Sequence, residues 1–569
     1  MFGNMTQRLS DVLIEQKFIS KEAMSEIIQK ERNSNGMKTL EEIILEEQII
    51  SEEDLAKAIA IQNELEYIAP GELDIDIKFL KEQNLSILSS VDILPYKKDD
   101  TYVYIATFDP NNMQMIDAVR SLFPNTLAQY VITTKKEIKK NLLKIQTLES
   151  LKEIISAAKR EIKNPNPIEN NEKSAILQLM EIVISSSIQK GASDIHIEPD
   201  EDSFAVRGRI DGMLQELFQF ESELYPPLIS RIKLSSGLDI AEKRRPQDGR
   251  FSLVLPGKDG NKREFDFRIS TLPLIKGESI VFRILDKNSI NVELDKLGFS
   301  PENTEKFRNA TKSPYGLIFV TGPTGSGKTT TLYAGLNEVK GETKKIITVE
   351  DPVEYQMSGI QQVQVNTKAD LTFGAALRSI LRQDPDIIMI GEARDLETLS
   401  IAIKAALTGH LVFTTLHTND APSAVMRVID MGIEPFLVAN AIVAIQAQRL
   451  IRTNCPYCTE EYTPTKKLID GVKEFFPKDL DIEKVKWKHG VGCANCNETG
   501  YQGRTIISEV LEFTPELVSY IINEENIDQQ ELVRIAQEKQ GFTTMFENGM
   551  LRAIDGSTSM EEILRVAKM

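Results

Sequence analysis

The residues most able to do chemistry form a glycine-rich loop. Residues 322–329 match the phosphate-binding pattern G-x-x-x-x-G-K-[ST] at every fixed position. Glycines let the backbone bend so that successive N–H groups converge on phosphate, and the helix that follows adds a partial positive charge. Lys328 is placed to reach the terminal phosphates, and the Thr329 hydroxyl is placed to bind Mg²⁺. The predicted nucleotide-binding residues are Gly322, Pro323, Thr324, Gly325, Ser326, Gly327, Lys328, Thr329 and Thr330.

Two acidic motifs follow the loop at the spacing expected of successive core strands. Glu350, Asp351 and Glu354 follow one apolar run, and Glu392 follows the next. Carboxylates at the carboxyl ends of parallel strands lie beside the ligand crevice. There, one carboxylate could orient and deprotonate water, and another could hold Mg²⁺ directly or through water. The alternative is that each motif is a solvated acidic turn.

Histidines and arginines supply further candidates. A histidine at either end of the strand-like run 410–417 could sense the γ-phosphate by hydrogen bonding, or it could be an ordinary core histidine. An arginine from another domain or subunit can accelerate phosphoryl transfer by roughly 10³-fold or more. From spacing alone, surface salt bridges are an equally good explanation of these arginines. The candidates are His410, His417, Arg268, Arg283, Arg378 and Arg382.

The four cysteines of the chain form two C-x-x-C pairs, Cys455 with Cys458 and Cys493 with Cys496. Two such pairs supply four thiolates for one tetrahedral Zn²⁺. Because all four positions are filled by protein, the predicted zinc site is structural. The alternatives are unliganded cysteines, or a redox pair, which the absence of a thioredoxin-like βαβ pattern disfavours.

Composition limits the remaining possibilities. A chain of 569 residues is too long for one core, and its net charge of −18 makes it a poor nucleic-acid binder. It has no apolar run near the ~20 residues needed to span a bilayer, and its start lacks the apolar core of a signal peptide. We therefore expect a cytoplasmic protein that reaches a membrane only through a partner.

Periodicity and composition divide the chain into α/β domains joined by a linker rich in Lys, Glu, Asn and Pro. A repeated helix pair, capped by Ser20 or Ser51, opens the chain. The predicted divisions are an N-terminal domain at 1–145 (helical repeat 1–70, α/β part 71–145), a linker at 146–172, a second α/β domain at 173–290, the nucleotide-binding core at 291–450, a tetracysteine module at 451–503 and a helical end domain at 504–569.

From about Lys173 onwards the chain resembles the secretion ATPases of type II secretion and type IV pilus assembly. The resemblance implies a RecA-like P-loop core, preceded by a PAS-like α/β domain called N2 and a mixed α/β domain called N1. The matching segments are Ala192–Pro199, Val206–Gly212 and Asp239–Arg250 for N2, Ile347–Glu354 for the aspartate box, Arg382–Asp395 for the Walker B strand, and His410–His417 for the histidine box.

The resemblance implies roles that spacing leaves open. Glu354 would activate water, and Glu392 would coordinate Mg²⁺ through water. Arg268 and Arg283 would reach the phosphates from N2, with Arg378 and Arg382 contributing from the core and a subunit boundary. The cysteine module is similar to that of assembly motors, which favours assembly over retraction.

The resemblance also implies partners. Six copies would form a ring at the inner face of the inner membrane, acting on a platform protein or a cytoplasmic membrane-anchoring partner. The N1 repeat is similar to a cyclic di-GMP-binding motif, but Ser10 and Thr39 are among several departures from it. Because the missing glycines remove close backbone approach, cyclic di-GMP binding is not expected.

The favoured function is a motor enzyme that hydrolyses ATP with Mg²⁺ to drive filament assembly. The alternative is a nucleotide-regulated scaffold of the membrane assembly without steady turnover, which would not need Glu354 or the arginines. A helicase is disfavoured because the chain is acidic and lacks a basic stripe.

Overall fold

A computed structural model describes residues 8–33, 39–47, 49–163, 174–257, 262–286, 293–476, 480–524 and 526–567. The chain forms two compact units: the first covers the residues up to Ile182 together with Cys493–Asn495, and the second covers Val183–Gly492 and the residues from Cys496 onwards. None of the helices in the described ranges is both long enough and apolar enough to cross a bilayer. Residues 164–172 of the predicted linker lie outside these ranges.

Four helices open the first unit: α1 (Leu9–Glu15), α2 (Lys21–Asn33), α3 (Leu40–Glu46) and α4 (Glu52–Gln62). The predicted caps are confirmed, because the Ser20 hydroxyl accepts the N–H of Ala23 at 3.2 Å and the Ser51 hydroxyl accepts the N–H of Asp54 at 3.0 Å. The apolar faces of the helices form one shared core. The repeated helix pair therefore packs on itself, as one pair alone buries too little surface.

The rest of the first unit is a four-stranded sheet with helices. Its elements are β1 (Glu66–Tyr67), α5 (Ile77–Lys81), α6 (Leu85–Ser90), β2 (Ile93–Lys98), β3 (Tyr102–Thr107), α7 (Met113–Leu122), β4 (Leu127–Ile132) and α8 (Lys135–Lys163). The strand order is β1-β4-β3-β2, and only β2 is antiparallel to its neighbour. Residues 146–163, predicted as linker, continue α8, since Lys, Glu, Leu and Ala are good helix formers.

The second unit begins with an antiparallel sheet of six strands. Its elements, with the helix that leads into it, are α9 (Ala175–Gln189), β5 (Ala192–Pro199), β6 (Ser203–Ile210), β7 (Met213–Glu221), α10 (Tyr225–Ser235), β8 (Gln247–Pro256), β9 (Lys262–Leu274) and β10 (Gly277–Asp286). The strand order is β7-β6-β5-β10-β9-β8. Burial alternates along β6, so one face of this sheet meets a core while the other carries polar side chains.

A second, mostly parallel sheet forms the centre of the predicted nucleotide-binding core. The elements around it are α11 (Pro301–Thr311), β11 (Gly316–Thr321), α12 (Lys328–Val339), β12 (Ile346–Glu350), β13 (Gln361–Gln364), α13 (Phe373–Ile380), β14 (Ile387–Ile390), α14 (Leu396–Leu407), β15 (Leu411–Leu416), α15 (Ala421–Asp430), α16 (Pro435–Ala441) and β16 (Ile442–Asn454). Strands β11, β14 and β15 are buried along their whole length, as expected where helices cover both faces of a parallel sheet.

The chain ends in β17 (Thr459–Glu461), α17 (Lys466–Val472), β18 (Lys488–Gly490), β19 (Tyr501–Glu512), α18 (Pro515–Asn523), α19 (Gln529–Gln540), α20 (Met545–Ile554) and α21 (Met560–Val566). The core sheet has the order β13-β12-β14-β15-β11-β16-β19, and β19 runs antiparallel to β16. The start of the predicted helical end domain is therefore corrected. Residues 504–512 are strand, because pairing with β16 and burial between helices override the helical spacing of their Glu, Ile and Leu.

Candidate functional site

The phosphate-binding loop lies between β11 and α12, at the carboxyl end of a central strand. Gly327 precedes α12 with φ 87°, and Gly322 has φ 146°, conformations that favour glycine. The Lys328 ammonium donates to the carbonyl oxygens of Gly322 at 2.8 Å and Pro323 at 3.0 Å. Burial lowers the pKa of Lys328, and the charge of Glu392 opposes that shift. The lysine is thus held over the loop with a carboxylate near enough to act on it.

Glu392 and His417 meet at the same edge of the sheet. Strand β14 runs parallel to β15, so the residues that follow the two strands emerge side by side. The Glu392 carboxylate lies 2.6 Å from Nε of Arg394 and 3.6 Å from Nε2 of His417, and only 15% of its side chain is exposed. A largely buried carboxylate beside the loop has the position and charge to hold a hydrated cation.

Glu354 is reached by an arginine from the antiparallel sheet. Nη1 of Arg268 lies 2.8 Å from the Glu354 carboxylate, and Nη2 donates to the carbonyl oxygen of Val353 at 2.9 Å. The two side chains are 19% and 28% exposed, so water screens their attraction only in part. The guanidinium therefore fixes both the position and the charge environment of Glu354.

Strand register places Arg268 in a row of charged side chains. It is directly opposite Arg250 on β8 and Arg283 on β10, and Arg283 is opposite Asp194 on β5. Opposed residues of neighbouring strands share a face of the sheet. Nε of Arg283 lies 3.2 Å from Asp194, and 59% of the Arg283 side chain is exposed. Sequence analysis did not select Arg250, because only the register reveals its place in this row.

Three predicted residues are not brought to the loop. His410 precedes β15, and its Nδ1 contacts the carbonyl oxygen of Ala405 at 3.0 Å. The phosphate-binding loop and Glu392 lie at the opposite, carboxyl end of that strand. The six residues of β15 at ~3.3 Å each separate the two ends by about 20 Å. Arg378 pairs with Glu397, and Arg382 donates to the Ser379 hydroxyl at 3.3 Å. Among the described residues, these three side chains contact Ala405, Glu397 and Ser379, none of which belongs to the loop.

Glu350 serves the structure of the site. It is almost fully buried and accepts hydrogen bonds from Thr348 at 2.6 Å and Gln362 at 3.1 Å, and also from the Tyr333 hydroxyl. Burial, followed by the hydrogen bond to Glu350, raises the pKa of Tyr333. Because its oxygens are occupied by residues of β12, β13 and α12, Glu350 ties the sheet to the helix and leaves Glu354 as the more accessible carboxylate of that motif.

A cavity of about 230 Å³ borders the loop. It is lined by Pro323 to Ser326, by four arginines and by the turn between β6 and β7. The turn contributes Asp211, which accepts the N–H of Gly503 at 2.9 Å. The arginines are Arg449, Arg452, Arg504 and Arg565. This cationic wall suits an anionic ligand, and it extends the candidate site beyond the residues that the motif predicts.

The four cysteines come together as one cluster. Their sulfur atoms all lie within 4.8 Å of one another, and Sγ of Cys458 is 3.8 Å from Sγ of Cys496. The N–H of Gly500 donates to Sγ of Cys496 at 3.2 Å. A disulfide would bring two sulfurs to about 2 Å, so the arrangement is that of four separate ligands.

Comparisons with known proteins agree with this architecture. The family described as "Type II/IV secretion system protein" matches residues 169–565, and the MshEN domain matches residues 63–149. Because of the MshEN match, the expectation that cyclic di-GMP does not bind to this chain is not supported.

Curated relatives align with most of this chain. The type II secretion system ATPase E of Vibrio cholerae is 44% identical over 422 residues, which are 73% of this chain and 80% of that protein. The type IV pilus assembly ATPase PilB of Myxococcus xanthus is 37% identical over 575 residues, which are 98% of this chain and 99% of that protein.

A solved structure supports the fold. The ATPase DotB of Yersinia pseudotuberculosis aligns with a TM-score of 0.53 at 22% identity, covering 71% of this chain and 95% of that one. Together with the family matches, this confirms the predicted α/β fold class, in which an N-terminal α/β region precedes a P-loop ATPase core.

Proposed function

This chain belongs to the type II/IV secretion system protein family and is an ATP hydrolase, and from that premise we propose that it is a motor driving assembly of a type IV pilus or a type II secretion pseudopilus. The match to a pilus assembly ATPase runs over nearly the whole chain, including the N-terminal unit. A scaffold without turnover is not favoured, because relatives of both kinds are named as ATPases.

The observation that carries the proposal is the contact between Arg268 and Glu354. It joins the antiparallel sheet to the nucleotide-binding core at the carboxylate predicted to act on water. We assign to Glu354 the orientation and deprotonation of the attacking water, and to Arg268 the stabilisation of negative charge as it develops. Movement of the antiparallel sheet relative to the core would make and break this contact, which would couple hydrolysis to motion.

Use of nucleotide and Mg²⁺ follows from the family. The loop fits a polyphosphate, since its glycines give close backbone approach and Lys328 lies over it. Thr329, in the first turn of α12, and Glu392 are the residues proposed to hold Mg²⁺, with Glu392 acting through water. When bound, Mg²⁺ neutralises charge on the phosphates. His417, 3.6 Å from Glu392, is proposed to sense the terminal phosphate.

The working assembly is proposed to be a homohexamer at the inner face of the inner membrane, acting on a platform protein or a membrane-anchoring partner. In a ring, Arg378 and Arg382 would lie at a subunit boundary, which is compatible with their side chains contacting Glu397 and Ser379 rather than the loop of their own chain. Arg283 would act with Arg268, since the two are opposed on one face of the sheet.

The cysteine cluster is proposed to hold one structural Zn²⁺. Four thiolates at about 2.3 Å from a tetrahedral zinc ion lie about 3.8 Å from one another, the separation found between Cys458 and Cys496. The neighbouring N–H of Gly500 would favour the charged sulfur of Cys496. Zinc would therefore fix the segment between β16 and β19 without taking part in hydrolysis.

The proposal is tested by phosphate release from the full-length protein at saturating Mg-ATP. Lys328→Ala and Glu392→Ala should abolish release while the protein remains folded by circular dichroism. Glu302→Ala, which removes a carboxylate 57% exposed on α11, is the matched control and should keep the parent rate. Release per chain should rise steeply with protein concentration as rings form. A Glu392→Ala variant as fast as the parent would show that Glu392 is wrongly assigned.

A further inference from the structure

We infer that Gln448, on β16, is a positioning residue for the phosphate-binding loop. The inference rests on the proposed function and adds a residue outside the loop motif. Gln448 is fully buried directly behind the loop, and both ends of its side-chain amide are hydrogen bonded. Nε2 donates to the carbonyl oxygen of Ser326 at 2.8 Å, and Oε1 accepts from the Thr331 hydroxyl at 2.8 Å. One amide thus joins the end of the loop to the first turns of α12.

The bond to Ser326 fixes the direction of a loop amide. The carbonyl of Ser326 and the N–H of Gly327 belong to one peptide unit, and in a planar trans peptide they point in opposite directions. Because Gln448 holds the carbonyl towards β16, the N–H of Gly327 is turned away from β16. A loop that binds phosphate through N–H groups needs that direction set before the ligand arrives.

The glycines of the loop also accommodate Gln448 itself. A Cβ atom on Gly322 would lie 2.5 Å from the carbonyl oxygen of Gln448, and one on Gly327 would lie 3.3 Å from its Nε2. Gly322 and Gly327 therefore pack directly against residue 448 of β16. A change in the side chain at position 448 should for that reason alter the position of the loop backbone.

Gln446 supplies a control from the same strand. It lies two residues earlier on the same face and is also fully buried, yet neither atom of its side-chain amide has a hydrogen-bond partner within the described chain. A change to leucine at residue 446 removes a buried amide as the same change does at residue 448, but it leaves the loop contacts intact.

The test measures binding of a fluorescent ADP analogue, and KM and kcat for ATP, with the full-length protein. Gln448→Leu should raise the Kd for the ADP analogue and the KM for ATP about 10-fold, the equivalent of one hydrogen bond of about 1.4 kcal/mol. Gln446→Leu should change both by less than twofold. If Gln448→Leu binds the ADP analogue within twofold of the parent, or if Gln446→Leu weakens binding equally, the inference is wrong.

Gln448→Glu gives a second readout that a general loss of packing would not produce. Its carboxylate cannot donate to Ser326, whereas the protonated acid can, and burial favours protonation. The Kd of this variant relative to the parent should therefore fall several-fold from pH 8 to pH 6, while the ratio for Gln448→Leu stays constant. A constant ratio for both variants would refute the donor role. Absence of phosphate release by the parent protein would refute the proposed function instead, and the ADP comparison would still decide the role of Gln448.

Discussion

Replacing Arg268 by alanine should slow ATP hydrolysis far more than it weakens ATP binding. The Arg268 guanidinium contacts the carboxylate of Glu354 and the backbone of Val353, and no hydrogen bond or ion pair joins it to Lys328 or the loop among the described residues. Its loss should therefore appear in kcat, with KM changed only a few-fold.

The size of the effect follows from these contacts. The hydrogen bond from the charged guanidinium to the Val353 carbonyl contributes about 1.5–3 kcal/mol, so its loss alone corresponds to about a 10- to 150-fold fall in rate if it is made only in the transition state, and the ion pair with Glu354 is lost with it. Loss of a positive charge facing the transferred phosphate brings the expected fall in kcat to about 10³-fold. Arg268→Lys, which keeps the charge but cannot make the paired contacts of a guanidinium, should lie between the parent and the alanine variant.

Arg283→Ala is the matched comparison. Arg283 lies opposite Arg268 on the same face of the sheet, but its guanidinium is held by Asp194 and is largely exposed. We expect a loss of less than 10-fold. The assay is steady-state phosphate release over a range of ATP concentrations, at a protein concentration where the parent rate per chain is constant. If Arg268→Ala keeps kcat within threefold, or if both alanine variants lose activity equally, the role given to the Arg268–Glu354 contact is wrong.

Two further predictions concern stability. Metal analysis should find about one zinc ion per chain in the parent protein, whereas Cys496→Ser should lose that zinc and have a lower melting temperature. Zinc retained by the variant at the parent level would contradict the proposed site. Glu509 is fully buried and accepts the N–H groups of Ala421 and Met545, each at 2.6 Å, and burial raises its pKa to about 7. Because the folded pKa exceeds the unfolded value, the stabilisation is complete at low pH and disappears as pH rises through 7. The free energy of unfolding should therefore fall by about 2 kcal/mol from pH 5.5 to pH 8, and this dependence should be smaller in Glu509→Gln by urea unfolding; an equal slope in both proteins would contradict it.

The nucleotide-binding core was predictable because its signals are local. A run of apolar residues, glycines at fixed spacing and a helix start together determine how β11, the loop and α12 are built. The carboxylates after β12 and β14 follow from the rule that parallel strands end at one edge. These features need no knowledge of partners distant in sequence.

Features that depend on distant pairing were not predictable. Residues 504–512 show helical spacing, and they form β19 only because β16 offers an edge to pair with. Likewise, spacing left Arg268 equally compatible with a surface salt bridge, and its partner Glu354 lies in the loop after β12, a strand of another sheet. Gln448 carries no motif, and its importance becomes visible only when β16 lies behind the loop.

The two histidines of one motif separate for a geometric reason. Both flank β15, so a sequence pattern treats them alike, yet a strand has two ends and only the carboxyl end faces the ligand. His417 lies at that end beside Glu392, and His410 lies at the other. The pattern locates a strand correctly without telling which end of it is used.

The place of β19 in the core sheet has a consequence for how the protein is made. The ribosome completes β16 at Asn454, but the strand that covers its outer edge begins only at Tyr501. Until those later residues emerge, the growing chain carries an open row of backbone donors and acceptors that another polypeptide could join. Newly made or shortened chains that stop before Tyr501 are therefore the forms most in need of chaperones.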